Sequence, residues 1–355
     1  MSYFNLDPVY AYKLRSMPRG SATAIKNKCT VPYKHLTIDF NSNCLVCTCD
    51  GWLPIPVGKV RDFDSLDDVW NSPIAKLLQK DIDDKKFTWC ATDHCGIKRR
   101  NIIAGKYTLV LNIDESCNLH CPSCRRDQIM LTSGDEMENK QQDIVRILSW
   151  LEKFPHPIHI VMSGNGDPLA SNIIRPLFLS YTPQPLQTFK LFTNGLLIKK
   201  QLLNSQLLPN ITEYSVSVDA GSSAVYENVR RGGRWDILLE NFDFLSELKK
   251  NHLVTLNFAI QKSNYEDLFN FVNVCNKYSF AANIHQLDDW GTWNSSAVLN
   301  PDAWTIKNGT LADHDVLCKT HPEYSKCVDV VNSVIAANKH NKKIMFASRL
   351  KSLLQ

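Results

Sequence analysis

Two groups of cysteines carry the chemistry this chain can do. Cys117, Cys121 and Cys124 lie in ESCNLHCPSC, with three and then two residues between them, directly after the apolar, β-branched run YTLVLNI (107–113). Thiolates spaced this closely on one loop can converge on a single iron–sulfur cluster. A fully ligated [4Fe–4S] cluster takes four cysteines and this loop supplies three. One iron is then left open to a non-protein ligand, as catalytic metal sites keep a position open. Zinc is the chemical alternative, with His120 adjacent. The second group is Cys29, Cys44, Cys47, Cys49, Cys90 and Cys95. Cys275, Cys318 and Cys327 stand apart and are expected to be small buried hydrophobes.

The surrounding composition narrows the setting. A chain of 355 residues, 44% hydrophobic and 21% charged, has room for about two domains and a sizeable core. That excludes a disordered tail, a collagen and a small disulfide-stapled scaffold. Forty basic against 36 acidic residues give +4, too mild to argue for nucleic acid or a membrane surface as partner. No apolar run approaches the roughly 18 residues that span a bilayer. The first twenty residues lack an apolar core with a cleavage site. A cytoplasmic location is therefore expected, and there clustered cysteines read as metal ligands or catalytic groups rather than disulfides.

The elements that must position these thiols differ along the chain. Before about residue 100, turn residues dominate. LTIDF reads as a short strand, and one helix starts near Ser65 and runs through LDDVWNSPIAKLLQKDI with a break at Pro73. From Tyr107 strands and helices alternate. The strands are YTLVLNI, IHIVMS (158–163), FKLFTN (189–194), EYSVSVD (213–219), VTLNFAIQ (254–261) and AANIHQL (281–287). Between most of them lie amphipathic stretches such as DIVRILSWLEKF, LIKKQLLNSQ, WDILLENFDFLSELKK and YEDLFNFVNVCNKY. Six such alternations imply an α/β fold with a parallel sheet, open or curled into a barrel, and an active site at the carboxyl ends of the strands. After Asn294 the pattern is weak apart from one helix around Cys327 to Lys339.

Three-then-two cysteine spacing after the first strand of such a region resembles the radical S-adenosylmethionine (radical SAM) enzymes. The resemblance implies a partial (β/α)6 barrel over 101–293. It implies a [4Fe–4S] cluster on Cys117, Cys121 and Cys124 whose open iron binds SAM, and reductive cleavage to a 5′-deoxyadenosyl radical that abstracts hydrogen from substrate. SGNGDP (163–168) is similar to the glycine-rich segment that meets the methionyl amino group, implicating Gly164, Asn165, Gly166 and Asp167. Thr193, Asn194 and Gly195 resemble the ribose- or methionine-facing turn. Ser215, Ser217 and Asp219 alternate at the end of the fourth strand, where a ribose would need polar partners, with Ser217 and Asp219 the stronger candidates. Arg230 could set a guanidinium against the SAM carboxylate, or be a solvated charge at a helix end.

The earlier cysteines resemble the SPASM/twitch auxiliary-cluster domain of the same enzymes. The shared order is Cys-x-x-Pro-aromatic, a strand and turn, a cysteine, a Val-Gly turn, a Trp-Asn-Ser helix and a closing cysteine pair. Here that region, 1–100, precedes the barrel, where most relatives carry it afterwards. The resemblance implies that Cys29, Cys47, Cys90 and Cys95 hold a second, auxiliary cluster. Ser42 stands where the turn glycine is expected, so the register leaves Cys49, and more distantly Cys44, as substitutes for Cys47. A structural zinc ribbon would suit the same four thiols.

Two classes of function follow. One is an enzyme acting on a peptide, sugar or other small molecule, with a reductant such as flavodoxin or ferredoxin. The other is an iron–sulfur relay or redox sensor that leaves SAM intact. No winged-helix-like leader-recognition segment is seen before Cys29, which weakens the peptide reading. Asp288 to Trp293, with two tryptophans beside acids, is expected near the substrate, and His321 and Glu323 are candidates to return to the same mouth. Residues 294–355 form an extension.

Overall fold

The computed structural model describes residues 6, 8–15, 18–20, 25–48, 52–124, 128–163, 166–248, 252–287 and 314–353. They divide into two compact units: residues 1–115 with 131–190, and residues 116–130 with 191–355.

In the first unit a short helix, α1 (Pro8–Arg15), precedes strands β1 (His35–Ile38), β2 (Asn43–Leu45) and β3 (Gly58–Lys59). β1 and β2 form an antiparallel hairpin, continued by β3. Asp39 and Ser42 make its turn. The Ser42 amide donates to the Asp39 carbonyl (2.9 Å), and the Asp39 carboxylate accepts from the amides of Asn41 and Asn43 (2.9 and 2.8 Å). Ser42 takes φ +60°, the left-handed conformation that a glycine adopts more cheaply.

The expected helix break occurs one residue before Pro73. α2 (Leu66–Asn71) ends at Ser72, whose hydroxyl then accepts from the Ala75 amide and caps α3 (Pro73–Asp83). Proline at a first helical position loses no intrahelical bond, so the break is a restart. Past α4 (Thr92–Cys95), β4 (Tyr107–Leu111) pairs in parallel with β1, His35 opposite Thr108 and Ile38 opposite Leu111. The cysteine-rich hairpin thus extends the sheet of the alternating region within one unit. Trp70, Tyr107, Phe154 and His156 stack across this junction, with the Trp70 Nε1–H donating to the His35 carbonyl (3.1 Å). α5 (Asp135–Lys153), β5 (Ile158–Met162), parallel to β4, and α6 (Ile174–Ser180) complete the unit. β6 (Gln187–Thr193) begins in it and ends in the next.

The second unit holds α7 (Ile198–Leu202), β7 (Ile211–Ser217), α8 (Ser223–Val229), α9 (Trp235–Leu248), β8 (Leu253–Ile260), α10 (Leu268–Tyr278) and β9 (Ala281–Gln286). The strands pair in parallel, β7 to β8 to β9. β8 alternates cleanly: Val254, Leu256, Phe258 and Ile260 are buried, while Thr255, Asn257 and Ala259 are half-buried on the other face. Strands β4 to β9, in chain order with helices between them, form the expected (β/α)6 pattern. The expected terminal helix is α11 (Tyr324–Ala337). A short β10 (Ile344–Phe346), parallel to β9, and α12 (Ser348–Leu353) extend beyond the sequence expectation. Among the described residues no helix is long and apolar enough to cross a membrane.

Candidate metal and cofactor sites

In the first unit Cys29, Cys47, Cys90 and Cys95 line one cavity with Val31, Pro32, Trp52, Leu53, Phe87 and Ile97 among its walls. Three separate segments deliver them. Cys29 bridges in parallel to Ile102, Cys47 follows the hairpin, and Cys90 and Cys95 flank and close α4. The Thr37 hydroxyl donates to the Cys47 carbonyl (3.1 Å), tying that loop to β1. Ile25, Ile82, Phe87 and Ile97 form the small apolar core against which Cys29, Cys90 and Cys95 pack. Burial raises the thiol pKa of Cys29, Cys90 and Cys95, Cys90 well above its ordinary value. Cys44 does not line this cavity. It is fully buried in β2, with the carboxylates of Asp39, Asp62 and Asp143 adding to burial in raising its thiol. Cys49 lies outside the described residues.

Among the described residues no three His, Cys, Asp or Glu side chains converge as ligands of a single metal ion. A cluster is a wider guest in which each iron takes its own thiolate, and four thiols on one apolar cavity are the donor set it needs.

In the second unit Cys117 and Cys124 are half-buried and Cys121 is buried. The loop is pinned at both ends. The Cys117 amide donates to the Ile129 carbonyl (2.9 Å), the His120 amide to the Arg231 carbonyl (3.1 Å), and the Cys124 amide to the Cys121 carbonyl (3.0 Å). Two side chains point donors at its sulfurs. Asn194 Nδ2 lies 3.9 Å from Cys117 Sγ and 2.8 Å from Asn118 Oδ1, while Arg230 Nη1 lies 3.9 Å from Cys121 Sγ. Burial raises the Cys121 thiol, and the Arg230 charge works against that rise. Asn194 is set by a turn at Gly195, where φ is +90° and an added Cβ would stand 2.7 Å from Val216 Cγ1. The Thr193 hydroxyl accepts from the Gly195 amide (3.1 Å).

Arg230 is itself held. Its Nη2 meets Asp219 Oδ2 at 2.6 Å, while Asp219 Oδ1 accepts from the Ala259 amide (2.8 Å). Asp219 adopts φ +57°, and its carbonyl accepts from Asn264 Nδ2 (3.0 Å). Each carboxylate oxygen thus has a protein partner, and the Oδ2 contact fixes the guanidinium. Ser217 is half-buried beside Asn257 and Asn283 on one face of β7, β8 and β9. Asn257 Nδ2 donates to Ser215 Oγ (2.9 Å), and its Oδ1 accepts from Asn283 Nδ2 (3.0 Å). His285, two residues further along the same face, has Nδ1 at 2.8 Å from the Gln286 carbonyl. A carbonyl only accepts, so Nδ1 carries the proton of this bond. Asn257, Asn283 and His285 lie in no sequence motif; the alternation along β8 and β9 is the signal that groups them.

Asp167 belongs to the first unit. It is buried, its Oδ1 accepts from the Leu169 amide (2.9 Å), and its carbonyl accepts from the amides of Ala170 and Ser171. Ser171 Oγ donates to Asp114 Oδ2 (2.5 Å) and accepts from the amides of Ile173 and Ile174. Gly166 is described and half-buried. Gly164, Asn165 and the stretch Asp288–Trp293 lie outside the described residues. Glu323 accepts from the Tyr265 hydroxyl (2.8 Å) just past β8. The His321 Nδ1 accepts from the Glu323 amide (3.1 Å). Cys275 and Cys327 are buried as expected. Cys318 is not: it is half-buried, and hydrogen bonding with Thr320 lowers its thiol pKa.

Strands alternate with helices in chain order, parallel from β4 to β5 and from β7 through β8 to β9, and a three-thiol loop follows β4: an α/β protein with thiols grouped after the first of these strands. Residues 111–275 match the family described as the Radical SAM superfamily, and residues 29–96 match SPASM, an iron-sulfur cluster-binding domain. The chain carries a radical SAM domain with a SPASM domain ahead of it. The cofactors that go with this pair are a [4Fe–4S] cluster with SAM and an auxiliary iron–sulfur cluster. Among solved structures the chain is similar to Streptococcus suis SuiB bound to precursor peptide SuiA, at 16% identity over 68% of this chain and 48% of that one, TM-score 0.44. It is also similar to anSMEcpe with bound AdoMet (14%, 67% and 62%, 0.39) and to archaeal TYW1 (17%, 44% and 57%, 0.29). The chain spans about half of the SuiB structure. No curated protein matches it.

Proposed function

We propose that this protein is an enzyme that cleaves SAM reductively and abstracts a hydrogen atom from a polar substrate: a peptide, a sugar or another small molecule. The observation that carries the reading is a loop of three thiols with the amide of Asn194 and the guanidinium of Arg230 aimed at two of them. When bound there, a [4Fe–4S] cluster with one open iron supplies the electron that breaks the sulfonium C–S bond and releases the radical.

The chain's own residues do the rest. Cys117, Cys121 and Cys124 hold the cluster. Asn194 and Arg230 direct N–H groups at their sulfurs, which favours the reduced, more negative state. Asp219 positions Arg230. Gly164, Asn165, Gly166 and Asp167 receive the methionyl end, and Thr193 and Ser217 face the ribose. Asn257, Asn283 and His285 meet the substrate. Cys29, Cys47, Cys90 and Cys95 hold the auxiliary cluster. We divide the chain into a SPASM region (1–100), a barrel (101–293) and an extension (294–355), and place it in the cytoplasm, where thiols stay reduced.

The test is anaerobic. Reconstituted, dithionite-reduced protein should form 5′-deoxyadenosine from SAM, and the Cys117→Ala, Cys121→Ala and Cys124→Ala variants should not. Intact SAM from cluster-loaded protein would leave the relay reading standing. Because SuiB is solved with a precursor peptide, peptides are the first substrates to screen.

A further inference from the structure

We propose that the surface over the auxiliary cysteines is the docking face for an acidic one-electron carrier protein, which reduces the auxiliary cluster directly; this rests on the reading that Cys29, Cys47, Cys90 and Cys95 hold that cluster. Two segments make the face. In the first, Ile25 is buried and Asn27 and Cys29 half-buried, whereas Lys26 and Lys28 are exposed. The alternation sends the lysines outward and the thiol inward. In the second, Ile97 is buried and Ile102 half-buried, whereas Lys98, Arg99 and Arg100 are exposed.

The two segments are laced together. Asn27 Nδ2 donates to the Ile97 carbonyl, the Lys28 amide to Asn101 Oδ1 (2.8 Å), the Ile102 amide to the Lys28 carbonyl (2.8 Å), and the Thr30 amide to the Ile102 carbonyl (2.9 Å). Lys98 pairs with Asp93. Among the described residues no carboxylate pairs with Lys26, Lys28, Arg99 or Arg100. Directly behind them Cys29, Cys95, Ile97 and Ile102 line the cavity.

An uncompensated basic strip does little for stability and much for encounter with an opposite charge. Electron-transfer partners meet through small, charge-steered contacts that bring one redox group close to another. Here the strip lies on the same two segments as two of the ligands, Lys28 being the neighbour of Cys29. One electron leaves the carrier and one enters the cluster; no bond is made or broken and no proton moves.

The experiment uses full-length protein carrying Cys117→Ala, Cys121→Ala and Cys124→Ala, so that the auxiliary cluster is the one observed, with flavodoxin hydroquinone as electron source. Stopped-flow bleaching should be fast at low salt and slow steeply as salt rises. Adding Lys26→Glu, Lys28→Glu, Arg99→Glu and Arg100→Glu should cut the low-salt rate at least tenfold and flatten its salt dependence, with dithionite reduction unchanged. An unchanged flavodoxin rate overturns the docking face while leaving the cluster assignment intact. Binding of acidic peptides that depends on the four basic residues, with no effect on flavodoxin, overturns it in favour of substrate capture. A cluster-free triple-alanine protein overturns the four-cysteine assignment, and the docking face with it, without touching the SAM assay.

Discussion

Around Cys29, Cys47, Cys90 and Cys95 the walls are aliphatic and aromatic, and the small core behind them is Ile25, Ile82, Phe87 and Ile97. Around Cys117, Cys121 and Cys124 the neighbours are Asn118, Asn194, Arg230 and, behind it, Asp219. The same ligand atom is thus held by packing in one place and by directed polar groups in the other. Four thiols close a cluster and need only a shaped apolar pocket. Three leave an iron for chemistry, and the hydrogen bonds and charge around the sulfurs then set its potential. The contrast can be broken by mutation.

The largest effect should come from the thiols. Removing Cys117, Cys121 and Cys124 should bring SAM cleavage to background and delete one EPR signal of the reduced protein. Removing Cys29, Cys47, Cys90 and Cys95 should delete the other signal. Cys44→Ala should delete neither, because Cys44 does not line the cavity. One shared signal lost in both variants would erase the distinction between the sites.

Next in size is Asp219→Asn. The Arg230–Asp219 pair has side chains only 17% and 8% exposed, and Arg230 is kept charged by that carboxylate. Asparagine can still accept from the Ala259 amide but leaves the guanidinium without its counter-charge. Breaking one partner of a buried pair costs about 3–5 kcal/mol. Urea unfolding should show a loss of that order, together with impaired SAM cleavage. A loss under about 1 kcal/mol would mean that the polar setting of the second site is not what holds it.

The first unit should instead be the acid-sensitive one. His35, in β1 against β4, is buried, and burial lowers its pKa to about 4 from an ordinary 6.5. Its folded pKa lies below the unfolded one, so stability is complete above pH 6.5. As pH falls from 6.5 towards 4, the unfolded chain takes up a proton that the folded chain refuses. The loss over that window approaches about 3 kcal/mol. Urea midpoints between pH 7 and 4 should fall in wild type, and His35→Gln should remove that part of the slope.

How much of this was visible in the chain depends on the range of the contact that matters. The six strands were legible because each is an apolar, β-branched run between helical stretches, and Cys117, Cys121 and Cys124 because their spacing is local. The parallel pairing of β1 with β4 was not, since His35–Ile38 is four residues long and its partner begins some seventy residues later. LIKKQLLNSQ reads as a longer helix than it makes. α7 stops at Leu202, and the Ser205 hydroxyl turns the chain by accepting from the Leu207 amide (3.1 Å). Arg230 and Arg231 look alike in sequence. Only the fold sends the first against Asp219 and Cys121 and leaves the second to offer its carbonyl to His120. β10 is three residues long, too short to show a period.

Smaller again is the effect expected at Asn194. Asn194→Ala removes the N–H facing Cys117 and the bond to Asn118 while keeping all three ligands. Outer-shell changes of this kind cost about 10–100-fold in activity or metal affinity. The expected result is a fall in SAM cleavage of that order with the cluster retained. A substitution in the apolar wall of the other site, Val31→Ala, should leave that rate alone. Equal effects from the two would deny that the polar groups are specific to the three-thiol loop.

The smallest change tests the hairpin that carries Cys47. Ser42 is 4% exposed at φ +60°, and its backbone accepts from the Val60 amide (2.9 Å) as well as donating to Asp39. A residue with a Cβ is strained there by about 1–2 kcal/mol, which glycine would relieve. Glycine also enlarges the freedom of the unfolded chain, returning about 0.4–1 kcal/mol of that gain. Ser42→Gly should therefore stabilise the protein, by no more than about 1.6 kcal/mol, with both EPR signals intact. Urea unfolding at neutral pH, above the His35 transition, is the measurement. Destabilisation would mean that the serine hydroxyl does something for this turn beyond tolerating its backbone, and that the Cys47 loop depends on a polar contact after all.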